Sequence, residues 1–208
     1  MIGVIQMSSP NIFVIGMSHV GKTPLSDVLA TSMGMTRISA SEWVRSRFVP
    51  SPGSDSATIL ADITRFSQAE LAKNPDACVS FMENKYGVSK GGFVIEGIRN
   101  PRDFMLLFRP ERDMVFFLRF PGNTVSPTSF ESEGIRVIQE NVTWMVNNHL
   151  FSRNFMTKCM IAGLREGDVE TLLDLPTEGY NLCANLAGAI KYVVGWAKKR
   201  VSTDALES

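Results

Sequence analysis

A glycine-rich segment near the start of the chain carries residue types that bind phosphate. Residues 16–23 read G-M-S-H-V-G-K-T and match the pattern G-x-x-x-x-G-K-[ST]. Gly16 and Gly21 can adopt backbone angles closed to other residues, so successive N–H groups can turn toward phosphate oxygens. Lys22 would reach the β- and γ-phosphates, and the Thr23 hydroxyl would bind Mg²⁺. The segment, called here the phosphate loop, therefore predicts a site for ATP and Mg²⁺.

The sequence on either side of the phosphate loop supports this interpretation. Residues 12–15 are apolar and predict a short buried strand, and apolar residues recur at helical spacing through 25–33. The predicted helix would add its positive N-terminal dipole at the phosphates, and Pro24 is tolerated in a first helical turn. A strand–loop–helix order disfavours a glycine turn that binds nothing. The expected nucleotide-binding residues are Gly16, Ser18, Val20, Gly21, Lys22, Thr23 and Pro24.

A second informative stretch begins at Phe93. Residues 93–95 are apolar and predict another buried strand, with Glu96 at its carboxyl end. Ligands bind at that end of the strands in open parallel sheets. Glu96 is therefore a candidate for binding Mg²⁺ or a metal-bound water. Arg99 follows closely and could hold a phosphate through two parallel hydrogen bonds.

Composition limits the class of protein. The 208 residues suit one α/β domain, and 44% hydrophobic with 20% charged residues is typical of a globular protein. Because Lys+Arg and Asp+Glu are equal at 21 each, no net charge favours nucleic acid or a membrane surface as a partner. Three scattered cysteines suggest reduced thiols. We expect a cytoplasmic protein with small-molecule nucleotide substrates; the oligomeric state stays open.

The rest of the chain alternates between predicted strands and helices. Two strands besides those above are predicted at 36–38 and 114–120, and a further strand at 170–175. Ser39 or Ser41 is a plausible N-cap for the helix that carries Arg45. The other predicted helices are 57–73, 75–85, a helix from 101, 132–150 and 180–199. A mainly helical insertion thus separates the second and third core strands.

Together these segments resemble the adenylate kinase-like P-loop nucleoside monophosphate kinases. Residues 38–45, I-S-A-S-E-W-V-R, are similar to the segment that opens the family's monophosphate-binding insertion. Residues 96–99, E-G-I-R, are similar to its acidic-Gly-x-x-Arg stretch, and the continuation Asn100-Pro101 is closer to deoxynucleoside monophosphate kinases. The resemblance implies that the acceptor monophosphate is bound by Ser39, Arg45, Glu96, Gly97 and Arg99.

The resemblance also implies an architecture. It is an α/β P-loop NTPase three-layer sandwich, in which helices flank a parallel sheet of about five strands. The implied divisions of the single domain 1–208 are a core at about 10–38, 91–122 and 165–208, a monophosphate-binding insertion at about 39–90 and a short lid region at about 123–164. The family's lid usually offers clustered arginines, which are dispersed here. Arg136 is the first choice for that role and Arg153 the second, with solvated surface arginines as the alternative.

The sequence therefore predicts an ATP-dependent phosphotransferase that acts on a (deoxy)nucleoside monophosphate. Lys22, Arg99 and Arg136 are the expected catalytic residues, and Thr23 and Glu96 the expected metal-binding residues. Because the acceptor is already an ionised phosphate, positioning and charge neutralisation would suffice without a general base. Two alternatives remain: a kinase of another small molecule such as dephospho-coenzyme A, and a nucleotide-binding switch or ATPase.

Overall fold

The computed structural model describes residues 9–18, 21–119, 130–148, 159–165, 168–175, 178–183, 194–195 and 197–198. The strands are β1 Ile12–Gly16, β2 Thr36–Ser39, β3 Phe93–Glu96, β4 Met114–Arg119, β5 Cys159–Arg165, β6 Asp168–Leu175 and β7 Glu178–Cys183. The helices are α1 Lys22–Met33, α2 Glu42–Arg45, α3 Ser56–Lys73, α4 Ala77–Tyr86, α5 Pro101–Leu107 and α6 Phe130–Asn147, and a 3₁₀ turn spans Val88–Lys90.

The strands form one sheet in the order β2-β3-β1-β4-β5-β6-β7. Strands β2, β3, β1 and β4 are parallel and make up the helix-flanked core of an α/β fold. Strand β5 continues in parallel along β4, whereas β6 and β7 are antiparallel. The helix-flanked parallel core thus has four strands, and β5 extends the parallel order. The expected fifth strand at 170–175 is wrong, because these residues lie in antiparallel β6.

The two faces of β1 bury apolar side chains against different helices. Phe13 packs edge-on against Phe104 of α5, with ring centroids 5.4 Å apart. Ile138 of α6 belongs to the same buried cluster. The alternate residues of β1 point to the opposite face, which α1 covers with Leu25 and Leu29. This burial on both faces holds β1 at the centre and fixes where the phosphate loop begins.

The expected helical insertion is present between β2 and β3 and consists of α2, α3, α4 and the 3₁₀ turn. It packs on the core through buried Trp43 and Met82. Glu42 joins α2 to α4 by pairing with Lys85 and by accepting a hydrogen bond from Tyr86 Oη at 2.5 Å. The insertion is therefore tied together by both apolar and polar contacts.

Two regions differ from their predicted organisation. The expected lid region, 123–164, contains α6, whose Ile138 and Val142 are fully buried in the core cluster. It also contains most of β5. The helix expected at 180–199 begins too early, because residues 178–183 form β7 and pair with β6.

No helix among the described residues is long and apolar enough to cross a membrane.

Candidate functional site

The carboxyl ends of three neighbouring strands bring the predicted site residues to one edge of the sheet. Gly16 ends β1, Ser39 ends β2 and Glu96 ends β3. Parallel pairing aligns Glu96 with Ser39 on one side and with Val14 on the other. The sheet register alone therefore places the phosphate loop, the start of the insertion and the Glu96 segment beside one another.

The phosphate loop ends in a helix start suited to an anion. Gly21 adopts a left-handed conformation with φ 93° and ψ 21°, which favours glycine, and α1 begins at the next residue. No described side chain caps this end, and the first turn contains no acidic residue. The N–H groups of a first helical turn need partners from outside the helix, and its dipole favours negative charge. The end of the phosphate loop can therefore bind phosphate through its backbone.

The Lys22 ammonium lies folded over the phosphate loop. Its Nζ donates to the Gly16 carbonyl oxygen at 2.7 Å and also to the Met17 carbonyl. A phosphate bound there would offer oxygens of full negative charge, which make stronger charge-assisted hydrogen bonds than carbonyls do. The residue predicted to bind phosphate is therefore positioned on the loop itself.

Glu96 is the central acidic residue of this edge. It is buried, with 4% of its surface exposed. Its Oε1 accepts from Thr23 Oγ1 at 3.2 Å and from Arg37 Nη1 at 2.6 Å. Its Oε2 is buried and has no hydrogen-bond partner among the described residues. Buried carboxylate oxygens normally have partners, so the orphaned oxygen of the carboxylate that Thr23 contacts is a candidate ligand for a cation.

The Thr23 hydroxyl and the Glu96 carboxylate suit Mg²⁺ better than they suit a metal whose ligands all come from the protein. A hydroxyl and one carboxylate are hard oxygen ligands, and Mg²⁺ is usually held by one or two carboxylates together with substrate phosphates and water. Within the described ranges, no group of three or more His, Cys, Asp or Glu side chains could hold a metal ion. Thr23 and Glu96 are thus suited to a cation that arrives with a nucleotide.

Arg99 contacts the phosphate loop directly. Its Nη2 donates to Ser18 Oγ at 3.0 Å, and buried Ile98 anchors the segment beside it. Gly97 has a φ of 77°, which only glycine adopts readily, and a Cβ there would lie 3.8 Å from Ser39 Oγ. The structure therefore brings Arg99 to the phosphate loop and Gly97 beside Ser39.

Arg45 and Arg136 are not brought to the phosphate loop by any described contact. Arg45 ends α2, is exposed and has no ion-pair partner within the described part of the chain. Arg136 is exposed on α6 and pairs with Glu133 at 2.5 Å and with Glu140. A side chain at residue 134 would face the Arg99 carbonyl oxygen, and Arg136, two residues on, projects about 200° around the helix from that face.

One residue of this edge, Arg37, was not predicted from the sequence, and two predicted residues lie outside the described ranges. Arg37, which pairs with Glu96, was missed, although a charged residue inside a short strand two positions before its end was a usable signal. Val20 and Arg153 lie outside the described residues.

Comparisons with known proteins add little to this geometry. The chain matches no protein-family model and no curated protein. Among solved structures it is similar to the 1.70 Å crystal structure described as "a putative kinase from chloroflexus aurantiacus j-10-fl". That similarity covers 94% of this chain and 97% of the other, with 14% sequence identity and a TM-score of 0.42. Because the superposition is this distant, the functional argument rests on the site itself.

Proposed function

We propose that the protein transfers the γ-phosphoryl group of ATP to a (deoxy)nucleoside monophosphate. The observation that carries the proposal is the 3.0 Å hydrogen bond from Arg99 Nη2 to Ser18 Oγ. It joins the arginine expected to hold the acceptor phosphate to the loop expected to hold the donor phosphates. A phosphoryl group that passes from donor to acceptor would travel between these two elements.

Each element has a separate task in this proposal. The backbone of the phosphate loop and the start of α1 bind the donor phosphates, and Lys22 turns from the loop carbonyls to the β- and γ-phosphates. Thr23 and Glu96 hold Mg²⁺, which neutralises charge on the phosphates when it is bound. Arg99 binds the acceptor phosphate and stabilises the charge of the group in transfer. Catalysis then consists of alignment and charge neutralisation, without a covalent intermediate.

The helical insertion would supply the rest of the acceptor site. Ser39 and Gly97 lie next to each other at its entrance, and Ser39 Oγ is 2.9 Å from Ser41 Oγ. Arg45 is exposed one helix further along, so it is available to an acceptor phosphate. Ligand binding would draw α2 toward the phosphate loop, a closure that excludes water and limits ATP hydrolysis.

A second candidate function is an ATPase or nucleotide-dependent switch. The observation that favours it is the pairing of Arg136 with Glu133 and Glu140 on the exposed face of α6. Those pairs occupy the arginine expected to stabilise the phosphoryl group. A switch also needs no acceptor-binding arginine, so the two functions differ in the role of Arg99.

Calorimetric titration of Arg99→Ala separates the candidates. Losing one partner of a charge-assisted hydrogen bond in a desolvated site commonly costs about 2–5 kcal/mol. We therefore expect at least about 30-fold weaker binding of the acceptor monophosphate, since each 1.4 kcal/mol is tenfold. ATP affinity without acceptor should change little. Arg65→Ala is the matched control, because Arg65 is exposed and pairs with Asp62 of the same helix, α3.

The acceptor is identified by thermal-shift screening of ribonucleoside and deoxyribonucleoside monophosphates and dephospho-coenzyme A, each with and without ATP. A true acceptor stabilises the fold by mass action. If no acceptor stabilises the wild type, or if Arg99→Ala weakens ATP and acceptor equally, the monophosphate kinase proposal is wrong.

A further inference from the structure

Arg37 links the buried Glu96 carboxylate to helix α1. Its Nη1 donates to Glu96 Oε1 at 2.6 Å, and its Nε lies 2.7 Å from Asp27 Oδ1. Thr23, which also donates to Glu96 Oε1, lies four residues before Asp27, so both project from the same face of α1. These three side-chain contacts, together with the α1 backbone between residues 23 and 27, form a closed ring that joins α1, β2 and β3.

Arg37 is the cation that neutralises Glu96 in this ring. Among the described residues, no other cationic side chain pairs with Glu96. The Glu96 side chain is only 6% exposed, and a buried charge that loses its partner strongly destabilises a fold. Arg37 thus does for Glu96 what a divalent cation at the same carboxylate would do.

Arg37 has a second ion-pair partner, Asp27, nearer the solvent. Its side chain is 34% exposed, and Asp27, at 57%, is more exposed still. It can therefore release Glu96 and keep the pair with Asp27 at the solvent edge. A guanidinium and a divalent cation on one carboxylate would repel each other, because charges a few ångströms apart in a partly desolvated site are weakly screened. The two cations therefore compete for Glu96.

We propose that Arg37 is the internal counter-ion of Glu96 in the metal-free protein and that this ion pair breaks when a divalent cation binds Glu96. Arg37 is then a positioning residue that sets the metal affinity, and Asp27 holds it after release. The inference rests on the proposed function only in assigning Thr23 and Glu96 to a divalent cation. It does not depend on which acceptor is phosphorylated, or on whether one is.

The direct test is a Mn²⁺ titration of the nucleotide-free protein, in which the electron paramagnetic resonance signal measures the concentration of free Mn²⁺. An arginine within about 4–6 Å of a carboxylate commonly shifts the proton affinity of that carboxylate by about one to three decades, and a divalent cation competes with Arg37 for the same carboxylate. Arg37→Met should therefore bind Mn²⁺ at least about tenfold more tightly than the wild type. Asp27→Asn should bind it more weakly, because Arg37 then has no second partner. Arg65→Met, which removes an exposed arginine paired on α3, should leave the affinity unchanged.

Thermal unfolding gives a second, independent readout. Without metal, Arg37→Met should melt below the wild type, because Glu96 stays buried without a counter-ion, and Mn²⁺ should raise its melting temperature more than that of the wild type. Adding Glu96→Gln to Arg37→Met should recover metal-free stability and abolish the response to Mn²⁺. This double variant distinguishes an uncompensated charge from a simple loss of packing.

The proposal is overturned if Arg37→Met, shown to be folded by circular dichroism, binds Mn²⁺ no more tightly than the wild type. That outcome includes the case in which neither protein binds the ion. If the titrations agree with the counter-ion role but no acceptor is phosphorylated, the role of Arg37 stands and the proposed kinase function fails.

Discussion

Replacing Asp103 with Asn should make the protein more stable at neutral and alkaline pH. Asp103 lies in the first turn of α5, is 4% exposed, and its Oδ1 is buried without a hydrogen-bond partner among the described residues. Burial raises the pKa of this carboxyl to about 7; Asp76 also raises it, while the Cys78 thiol and Arg102 oppose the change. The native protein therefore favours the neutral acid.

The sign and size of the effect follow from this pKa. Below the ordinary carboxyl pKa of 3.8, Asp103 is protonated in both the folded and the unfolded chain. Between pH 4 and 7 only the unfolded chain releases the proton, so the free energy of unfolding falls as pH rises. Above pH 7 the loss is complete. At 1.36 kcal/mol per pKa unit, a rise from 3.8 to about 7 costs about 4 kcal/mol. The N-terminus of α5 favours the carboxylate, which makes this figure an upper limit.

Urea unfolding of wild type and Asp103→Asn from pH 4 to pH 8 measures the effect. The two proteins should be similar at pH 4 and should diverge as pH rises, with the variant more stable by several kcal/mol at pH 8. Asp62→Asn is the matched control, because Asp62 pairs with Arg65 on the surface of α3 and exposed pairs contribute about 0–1 kcal/mol. A stability difference that is constant across this pH range would refute the assignment of a neutral Asp103.

Three further variants test separate parts of the structure. Lys22→Ala should keep the circular dichroism spectrum of the wild type but lose phosphoryl transfer and bind ATP more weakly, because the Lys22 ammonium lies on the phosphate loop. Turnover of this variant at the wild-type rate would argue against the ATP site. Gly134→Ala should lower the free energy of unfolding by about 1–3 kcal/mol, because a Cβ there would lie 2.0 Å from the Arg99 carbonyl oxygen. Gly195→Ala is the control, because a Cβ at residue 195 would meet open space. Equal stability of the two variants would contradict the close packing of α6. Arg45→Ala should weaken acceptor binding without changing ATP affinity in a calorimetric titration; unchanged acceptor affinity would remove Arg45 from the site.

Local sequence patterns were sufficient to predict the central part of the fold. The strand at 12–15 and helix α1 were both predicted, because an apolar run and helical periodicity each act over a few residues. Glu96 was predicted at the end of β3 for the same reason, and the sheet order then brings it next to Thr23. These features depend little on distant parts of the chain.

Features that depend on contacts between distant segments were not predicted. The antiparallel direction of β6 depends on its pairing with β5, and an apolar strand has the same pattern in either direction. Arg37 reaches Glu96 across 59 residues of sequence, so its role becomes visible only when β2 and β3 pair. Likewise, nothing in the sequence around Gly134 indicates that α6 packs against the Arg99 backbone.

We propose above all that the chain moves a phosphoryl group from ATP to a monophosphate acceptor. The most direct measurement follows γ-³²P-labelled ATP with Mg²⁺ and each candidate acceptor, with products separated by chromatography and Lys22→Ala as the control. We predict that one class of nucleoside monophosphate becomes a labelled diphosphate in step with ADP formation, and that the Lys22 variant forms none. Label that appears only as inorganic phosphate, or that stays in ATP with every acceptor, would contradict the account.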